Sequence, residues 1–250
     1  MRNQPLSNQP IFNAPASVVR CLAVLAGVHL VFWYLLPDAW QNWLFQQLVF
    51  NPGRYTHMPD AGLPTWGAGV WTFVTYQMLH GDLTHLLLNS AWLLAFGGAI
   101  ARRIGGARFL AFGMLAGVAG ALMFWLFHIG EQTPVIGASG AVSGLMGGAF
   151  RFLFSALDRG GFARFRDDPK SIPLMSVRET LTDRRMQAVA GVLVLINVLT
   201  ALGSSSFTSG GSVAWEAHLG GFLFGLFGFQ LFEPKRPQRP KLEIVRPTLH

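Results

Sequence analysis

An all-helical membrane protein with several spans is the fold class that this sequence predicts. The chain of 250 residues is 51% hydrophobic and only 12% charged, and it contains 21 Phe and 29 Gly. A soluble globular domain carries about twice that share of charged residues. A helix needs about 20 mostly apolar residues to cross a membrane, and six stretches reach or approach this length. They are residues 18–36, 84–101, 108–128, 138–157, 187–203 and 214–232.

The basic residues predict how the six spans are oriented. Lys and Arg are retained in short cytoplasmic segments. They cluster before span one, between spans two and three, after span four and after span six, whereas the connections 37–83, 129–137 and 204–213 contain only Arg54. Both termini are therefore expected on the cytoplasmic side. The net charge of +7 reflects this topology, and no groove-reading element indicates nucleic-acid binding.

The long connection after span one has a pattern of its own. Trp40, Trp43, Leu44 and Leu48 recur at helical spacing, which favours a helix lying in the membrane interface. An ordinary folded loop with buried tryptophans fits about equally well. We divide the chain into a cytoplasmic segment, 1–17, a six-span domain, 18–232, and a flexible basic cytoplasmic tail, 233–250.

Gly137-Ala138-Ser139-Gly140 opens the fourth predicted span. These small residues place an accessible serine at the N-terminus of a membrane helix. The first backbone N–H groups of a helix have no partners within it, so they can hold the negative oxygen that develops when a carbonyl is attacked. Ser139 is therefore our candidate nucleophile, and another part of the chain has to supply a base.

Elimination points to histidine as that base. All three lysines fall in cytoplasmic segments, and no Asp or Glu lies inside a span away from its ends, which disfavours a Ser-Lys dyad and a pair of catalytic carboxylates. A neutral imidazole can accept a proton from serine near neutral pH. His29 and His128 have no polar neighbours in sequence, so we interpret them as packing or interface residues. The histidines in or next to spans are His29, His80, His85, His128 and His218.

His218 is the preferred base because it lies near the non-cytoplasmic end of span six, at the depth expected for Ser139. Small residues at every fourth position let two helix backbones approach closely. If the two rows of glycine face each other, the serine and the histidine come together at one level; plain helix packing is the other meaning of such rows. The rows are Gly140, Gly144 and Gly148 on span four, and Gly221 and Gly225 on span six.

His85 and Asn89 lie one helical turn apart on span two, so they share a face. Side-chain donors inside a membrane protein are able to stabilise an oxyanion. An interhelical hydrogen-bond pair, worth about 1 kcal/mol, is the alternative. A metal site is less favoured, because the chain has no HExxH motif and no carboxylate accompanies His85 within the span.

Together, Gly137-Ala138-Ser139-Gly140, the His85-xxx-Asn89 pair after His80, and Ala217-His218-xx-Gly221-xxx-Gly225 resemble the rhomboid intramembrane serine proteases over residues 70–230. The resemblance implies a dyad of Ser139 and His218 without a third carboxylate. It also implies an oxyanion hole formed by His85, Asn89 and the Ser139 N–H, in a cavity open to the non-cytoplasmic side.

Further expectations concern partners and location. The resemblance implies no cofactor, and substrates that are membrane proteins, typically with a single span, cut in or beside a helix that can unwind. A compact six-span form without targeting features suggests a bacterial inner membrane.

Two residues depart from the common pattern of this family. Ser143 stands where many relatives have an aromatic residue beside the histidine, and Thr72 follows Trp71 where many have arginine. The main rival hypothesis is a non-proteolytic relative that binds transmembrane segments, although such relatives typically lack the serine or the histidine. A transporter is weaker, because the spans lack paired charges, and a hydrolase elbow would need a preceding strand.

Overall fold

Helices form most of the described structure. The computed structural model describes residues 14–56, 67–158, 165, 168–201 and 214–234. Within these ranges, pairing between extended segments is limited to one antiparallel bridge, Phe50 with Val135. The helices are α1, Ala16–Leu30; α2, Asp38–Leu48; α3, Ala68–Thr75; α4, Leu83–Trp92; α5, Gly98–Ile104; α6, Gly106–Phe127; α7, Ser139–Asp158; α8, Val177–Thr182; α9, Arg184–Ala201; and α10, Trp215–Gly228.

Four helical stretches are long and apolar enough to cross a membrane, and they coincide with the first four predicted spans. A π-helical turn prolongs α1 to Leu35, and another joins α4 to α5. The chain therefore has the helices of a multi-pass membrane protein. The stretches are Ala16–Leu35, Leu83–Ile104, Gly106–Phe127 and Ser139–Asp158, with mean hydropathies of 1.9, 1.4, 2.0 and 1.3.

The chain is also helical in the other two predicted spans. Helix α9 has 18 residues and ends where the described range ends. Helix α10 has 14 residues, and a 3-10 turn at Phe229–Phe232 prolongs it. The predictions for residues 1–13, for 202–213 and for the tail from residue 235 lie outside the described residues.

Helix α7 lies at the centre of the bundle. Of its most apolar 18-residue window, 83% is buried, compared with 44% for α6 and 22% for the span that starts with α1. An interior helix needs no lipid-facing side, which explains why α7 combines glycines with polar residues. The helix that begins with Ser139 is thus held by protein on nearly every side.

Glycines set the distance between α7 and α10. A Cβ atom at Gly221 would collide with the carbonyl oxygen of Gly140, and one at Gly225 would collide with that of Gly144. The two rows of glycine therefore lie in direct contact. Helix α6 approaches α10 in the same way, because a Cβ at Gly120 would lie 2.7 Å from a backbone oxygen of α10. Close backbone approach of this kind is the usual role of small residues between membrane helices.

The connection between α1 and α4 contains two helices. Helix α2 forms where the tryptophan spacing predicts one, and the side chains of Trp40 and Trp43 are mostly exposed. Trp71 on α3 donates its indole N–H to the carbonyl of Gln47 at 2.7 Å, and Thr75 donates its hydroxyl to that of Leu48 at 2.8 Å. These bonds hold α3 against the end of α2.

An ion pair between a buried arginine and a partly exposed glutamate lies at the end of the bundle where α5 ends. Arg103, at the end of α5, is 1% exposed and holds the carboxylate of Glu233 with two nitrogens, at 2.5 and 3.0 Å. It also donates to the carbonyls of Pro169 and Ile172 and lies over the ring of Phe152. A buried charge is tolerated only when it is paired and hydrogen-bonded in this way.

Candidate active site

Ser139 is the first residue of α7, and its side chain is half-buried. The chain reaches it through Gly137, whose φ of 118° lies in the region that only glycine adopts easily. The N–H of Gly137 donates to the carbonyl of Tyr76 at 3.0 Å. This bond fixes the turn before the helix, so the position of the serine is set by backbone geometry.

His218 lies in the first turn of α10 and is half-buried. Its neighbour Ala217 contacts the neighbour of Ser139, because a Cβ at Gly140 would lie 3.4 Å from the carbonyl oxygen of Ala217. The backbones next to the predicted nucleophile and the predicted base therefore touch. Ser139 and His218 thus each adjoin this contact between α7 and α10.

His85 approaches Ser139 from α4. Its Nε2 atom lies 2.6 Å from the point that a Cβ on Gly137 would occupy, and the hydroxyl oxygen of Ser139 lies 3.8 Å from that same point. Any side chain at residue 137 would collide with the imidazole. Glycine is thus required there for space as well as for its φ angle.

Asn89 follows His85 by one turn and is buried, with 5% exposure. One of its amide hydrogens is donated to the carbonyl of His85 at 3.1 Å. An asparagine side chain carries two such hydrogens. The second one remains as a donor that the predicted oxyanion hole would need.

His80 packs against His85 with the ring centroids 5.0 Å apart and the planes at 65°. Burial, followed by the nearby imidazole of His85, lowers the pKa of His80 to about 4. The ring of His80 is therefore neutral at neutral pH. The carbonyl of His80 accepts the indole N–H of Trp33 at 2.7 Å, which ties this loop to the end of the first span.

The two departures from the common family pattern are both buried. Thr72 is fully buried and donates its hydroxyl to the carbonyl of Ala68 at 2.5 Å. Ser143 is 8% exposed and lies one helical turn beyond Ser139 on α7. In the described part of the chain, His, Cys, Asp and Glu side chains form no group of three or more that could hold a metal ion.

His128 differs from the sequence expectation. It was expected to be a packing or interface residue, but its ring lies between two carboxylates: Nδ1 is 2.6 Å from Glu131 and Nε2 is 3.2 Å from Glu216. Only Glu131 was close enough in sequence, three residues away, to signal the contact. Glu216 belongs to α10, two residues before His218.

Comparison with known proteins identifies the family. The Rhomboid domain matches residues 67–233, a range that contains Ser139, His218, His85 and Asn89. The chain is 25% identical over 188 residues to the rhomboid protease GlpG of Haemophilus influenzae, a match that covers 75% of this chain and 83% of that protein.

Other relatives match over shorter stretches. RHOMBOID-like protein 4 of Arabidopsis thaliana is 27% identical over 162 residues, 64% of this chain and 34% of the relative. Rhomboid protease GluP of Bacillus subtilis is 35% identical over 77 residues, 31% of this chain and 15% of the relative. The matches thus span 34% and 15% of these two longer proteins. The multi-span helical structure and the domain match agree, and the chain belongs to the rhomboid family.

Proposed function

We propose that this chain is an intramembrane serine endopeptidase that cleaves peptide bonds in or beside transmembrane helices, with Ser139 as the nucleophile and His218 as the base. The contact between Gly140 and Ala217 supports this proposal most directly. Each of these residues is the immediate neighbour of one member of the dyad. Neighbouring backbones at this distance are what a hydrogen bond between Ser139 and His218 would require.

The reaction follows from the properties of these groups. His218 accepts the hydroxyl proton of Ser139 while the serine oxygen attacks the peptide carbonyl carbon. The backbone N–H of Ser139 and the side chains of His85 and Asn89 donate hydrogen bonds to the oxyanion. The tetrahedral intermediate then collapses, His218 gives its proton to the leaving amine, and water hydrolyses the acyl-enzyme. No cofactor takes part.

The proposed topology has six transmembrane helices with both termini on the cytoplasmic side. Helices occur in all six predicted spans, and Lys and Arg cluster in the connections that would then be cytoplasmic. The active site opens to the non-cytoplasmic side, where water can enter. A bacterial inner membrane is the proposed location. The exposed tryptophans of α2 suit headgroup depth, which supports an interfacial position for that helix.

The proposed substrates are single-span membrane proteins that are cut in or beside their transmembrane helix. Two of the relatives are named rhomboid proteases, which supports a proteolytic reaction. An intact helix hides its scissile bonds because every backbone group is already paired. Substrate segments that contain helix-weakening residues are therefore expected to be cleaved fastest.

Cleavage of a fluorogenic single-span substrate in liposomes tests the proposal. Ser139→Ala and His218→Ala are each expected to lower kcat by at least about 10⁴-fold, since each removes one half of the dyad. Ser143→Ala is the matched control, because it removes a buried hydroxyl one turn away on the same helix. It is expected to retain most of the activity.

Other outcomes would overturn the mechanism. Cleavage that survives Ser139→Ala would exclude this serine as the nucleophile, and loss of cleavage in Ser143→Ala alone would transfer that role. A wild type that binds several single-span substrates without cutting any would instead favour the non-proteolytic function of binding transmembrane segments.

A further inference from the structure

The contacts of His128 join two membrane helices at the end of the bundle that carries the candidate site. His128 follows α6 directly, and its ring lies on Phe124 with the centroids 4.3 Å apart. Gly130, with a φ of 82°, turns the chain back so that Glu131 reaches Nδ1. Glu216, at the start of α10, reaches Nε2 and is 7% exposed. One imidazole thus connects a buried carboxylate of α10 to the end of α6.

The number of hydrogen bonds identifies the protonation state that this geometry requires. A carboxylate only accepts hydrogen bonds, and a neutral imidazole has a single N–H to donate. His128 can satisfy Glu131 and Glu216 together only as the doubly protonated cation. When it loses a proton, one of the two carboxylates loses its bond. The shorter contact is to Glu131, so the neutral ring is expected to keep its hydrogen there.

We propose that His128 is a positioning residue for the protease reaction, and that its protonated ring docks the start of α10 onto α6 through Glu216 and so holds His218 in line with Ser139. This inference rests on the proposed function. Glu216 precedes His218 by two residues, and Gly220, two residues after His218, packs against the Ala119 carbonyl of α6. The first turn of α10 is therefore held to α6 on both sides of the base.

The direction of the pH effect follows from the surroundings of His128. Burial lowers the pKa of His128, but hydrogen bonds and charge attraction from Glu131 and Glu216 outweigh it and leave the pKa above the ordinary 6.5. Among the described residues, these two glutamates are the ionisable groups that face the ring, and the connection 202–213 contains none. The docking contact is thus complete below pH 6.5 and is lost as the pH rises through the raised pKa.

The test is kcat and KM of substrate cleavage in liposomes between about pH 6 and pH 9, the range over which a histidine of raised pKa titrates. In the wild type, kcat is expected to fall on the alkaline side while KM stays constant. Glu216→Ala, which leaves Nε2 without an acceptor, is expected to lower the acid-side kcat by about tenfold and to remove the alkaline fall, because misplaced catalytic groups slow the chemical step.

Glu131→Gln is the matched control, since Glu131 contacts the same ring but does not lie on α10. Its amide N–H can donate to Nδ1, which leaves a hydrogen on Nε2 for Glu216 even in the neutral ring. This variant is expected to keep the acid-side kcat and to show a smaller alkaline fall. A Glu216→Ala enzyme with the wild-type kcat and pH profile would overturn the proposal.

Thermal unfolding separates failure of this inference from failure of the proposed function. A double-mutant cycle between His128→Ala and Glu216→Ala is expected to show coupling in Tm at pH 6 that disappears at about pH 9. Absence of coupling at the lower pH overturns the docking contact whether or not cleavage is seen. If residues 128 and 216 are coupled but the wild-type protein cleaves no substrate, the protease function is refuted, and the positioning role with it. The contact between His128 and Glu216 would still be established.

Discussion

Replacing Gly221 with alanine tests the close helix contact on which the proposed dyad depends. A Cβ atom on Gly221 would overlap the carbonyl oxygen of Gly140 and lie 2.8 Å from its carbonyl carbon and 3.3 Å from its Cα. Carbon atoms in ordinary contact are about 3.5–4.0 Å apart. Because backbone atoms cannot rotate away, α7 and α10 have to separate by roughly 1 Å to admit the methyl group.

The expected effect on activity is larger than the effect on stability. Overpacking costs about 1–3 kcal/mol, and alanine recovers about 0.5–1 kcal/mol of it through its better helix propensity. The net loss of about 0–2.5 kcal/mol leaves the protein folded. A displacement of about 1 Å between catalytic groups can cost about 100-fold in rate. Since His218 lies one helical turn before Gly221, kcat of Gly221→Ala is expected to fall by about 100-fold.

The assay measures kcat, KM and Tm with a fluorogenic single-span substrate in liposomes. Gly191→Ala on α9 is the matched control, because it makes the same substitution within a helix where a Cβ would meet no atom within 4 Å. The control is expected to keep the wild-type kcat. A Gly221→Ala enzyme whose kcat lies within about threefold of the control would refute the reasoning that this contact aligns the dyad.

Three other substitutions have defined expectations. Asn89→Ala is expected to lower kcat by about 10²–10³-fold by removing an oxyanion donor, and a change in KM alone would contradict that role. Glu233→Gln leaves the buried Arg103 without its carboxylate. The variant is expected to lower the free energy of unfolding, measured by denaturation in mixed detergents, by about 2–4 kcal/mol. An unchanged free energy would be inconsistent with this ion pair. Hydrogen bonds from Arg185 lower the pKa of Asp183 to about 2. The ionised Asp183 therefore contributes fully to the stability of the fold above pH 3.8, and this contribution is lost as the pH falls through about 2. Asp183→Asn is expected to lower Tm at neutral pH but not near pH 2. An equal loss of Tm at both pH values would exclude this cause.

The helical class and the family were predictable from sequence because both depend on local patterns. The low share of charged residues and the long apolar stretches predicted membrane helices, and the first four predicted spans match helices to within three residues at each end. The motifs around Ser139, His85 and His218 predicted the rhomboid family, and the domain match confirmed it. The roles of these residues in catalysis stay predictions until the variants are measured.

The expectation for His128 failed for a physical reason. One of its two partners is Glu216, 88 residues away, and a sequence does not show which side chains meet across two helices. The same holds for Arg103 and Glu233, which are separated by 130 residues. Neither pair has a spacing that a helical period could reveal.

By itself, the sequence determined which segments are helical and apolar, because hydrophobic length and small-residue spacing act within a single segment. Only the tertiary structure decided which faces meet. The row of Gly140 and Gly144 could have packed against any neighbouring helix, and its contact with Gly221 and Gly225 depends on the docking of α10 against α7. That choice reflects close packing summed over the whole interface, in which each contact is weak and only their combination selects one arrangement.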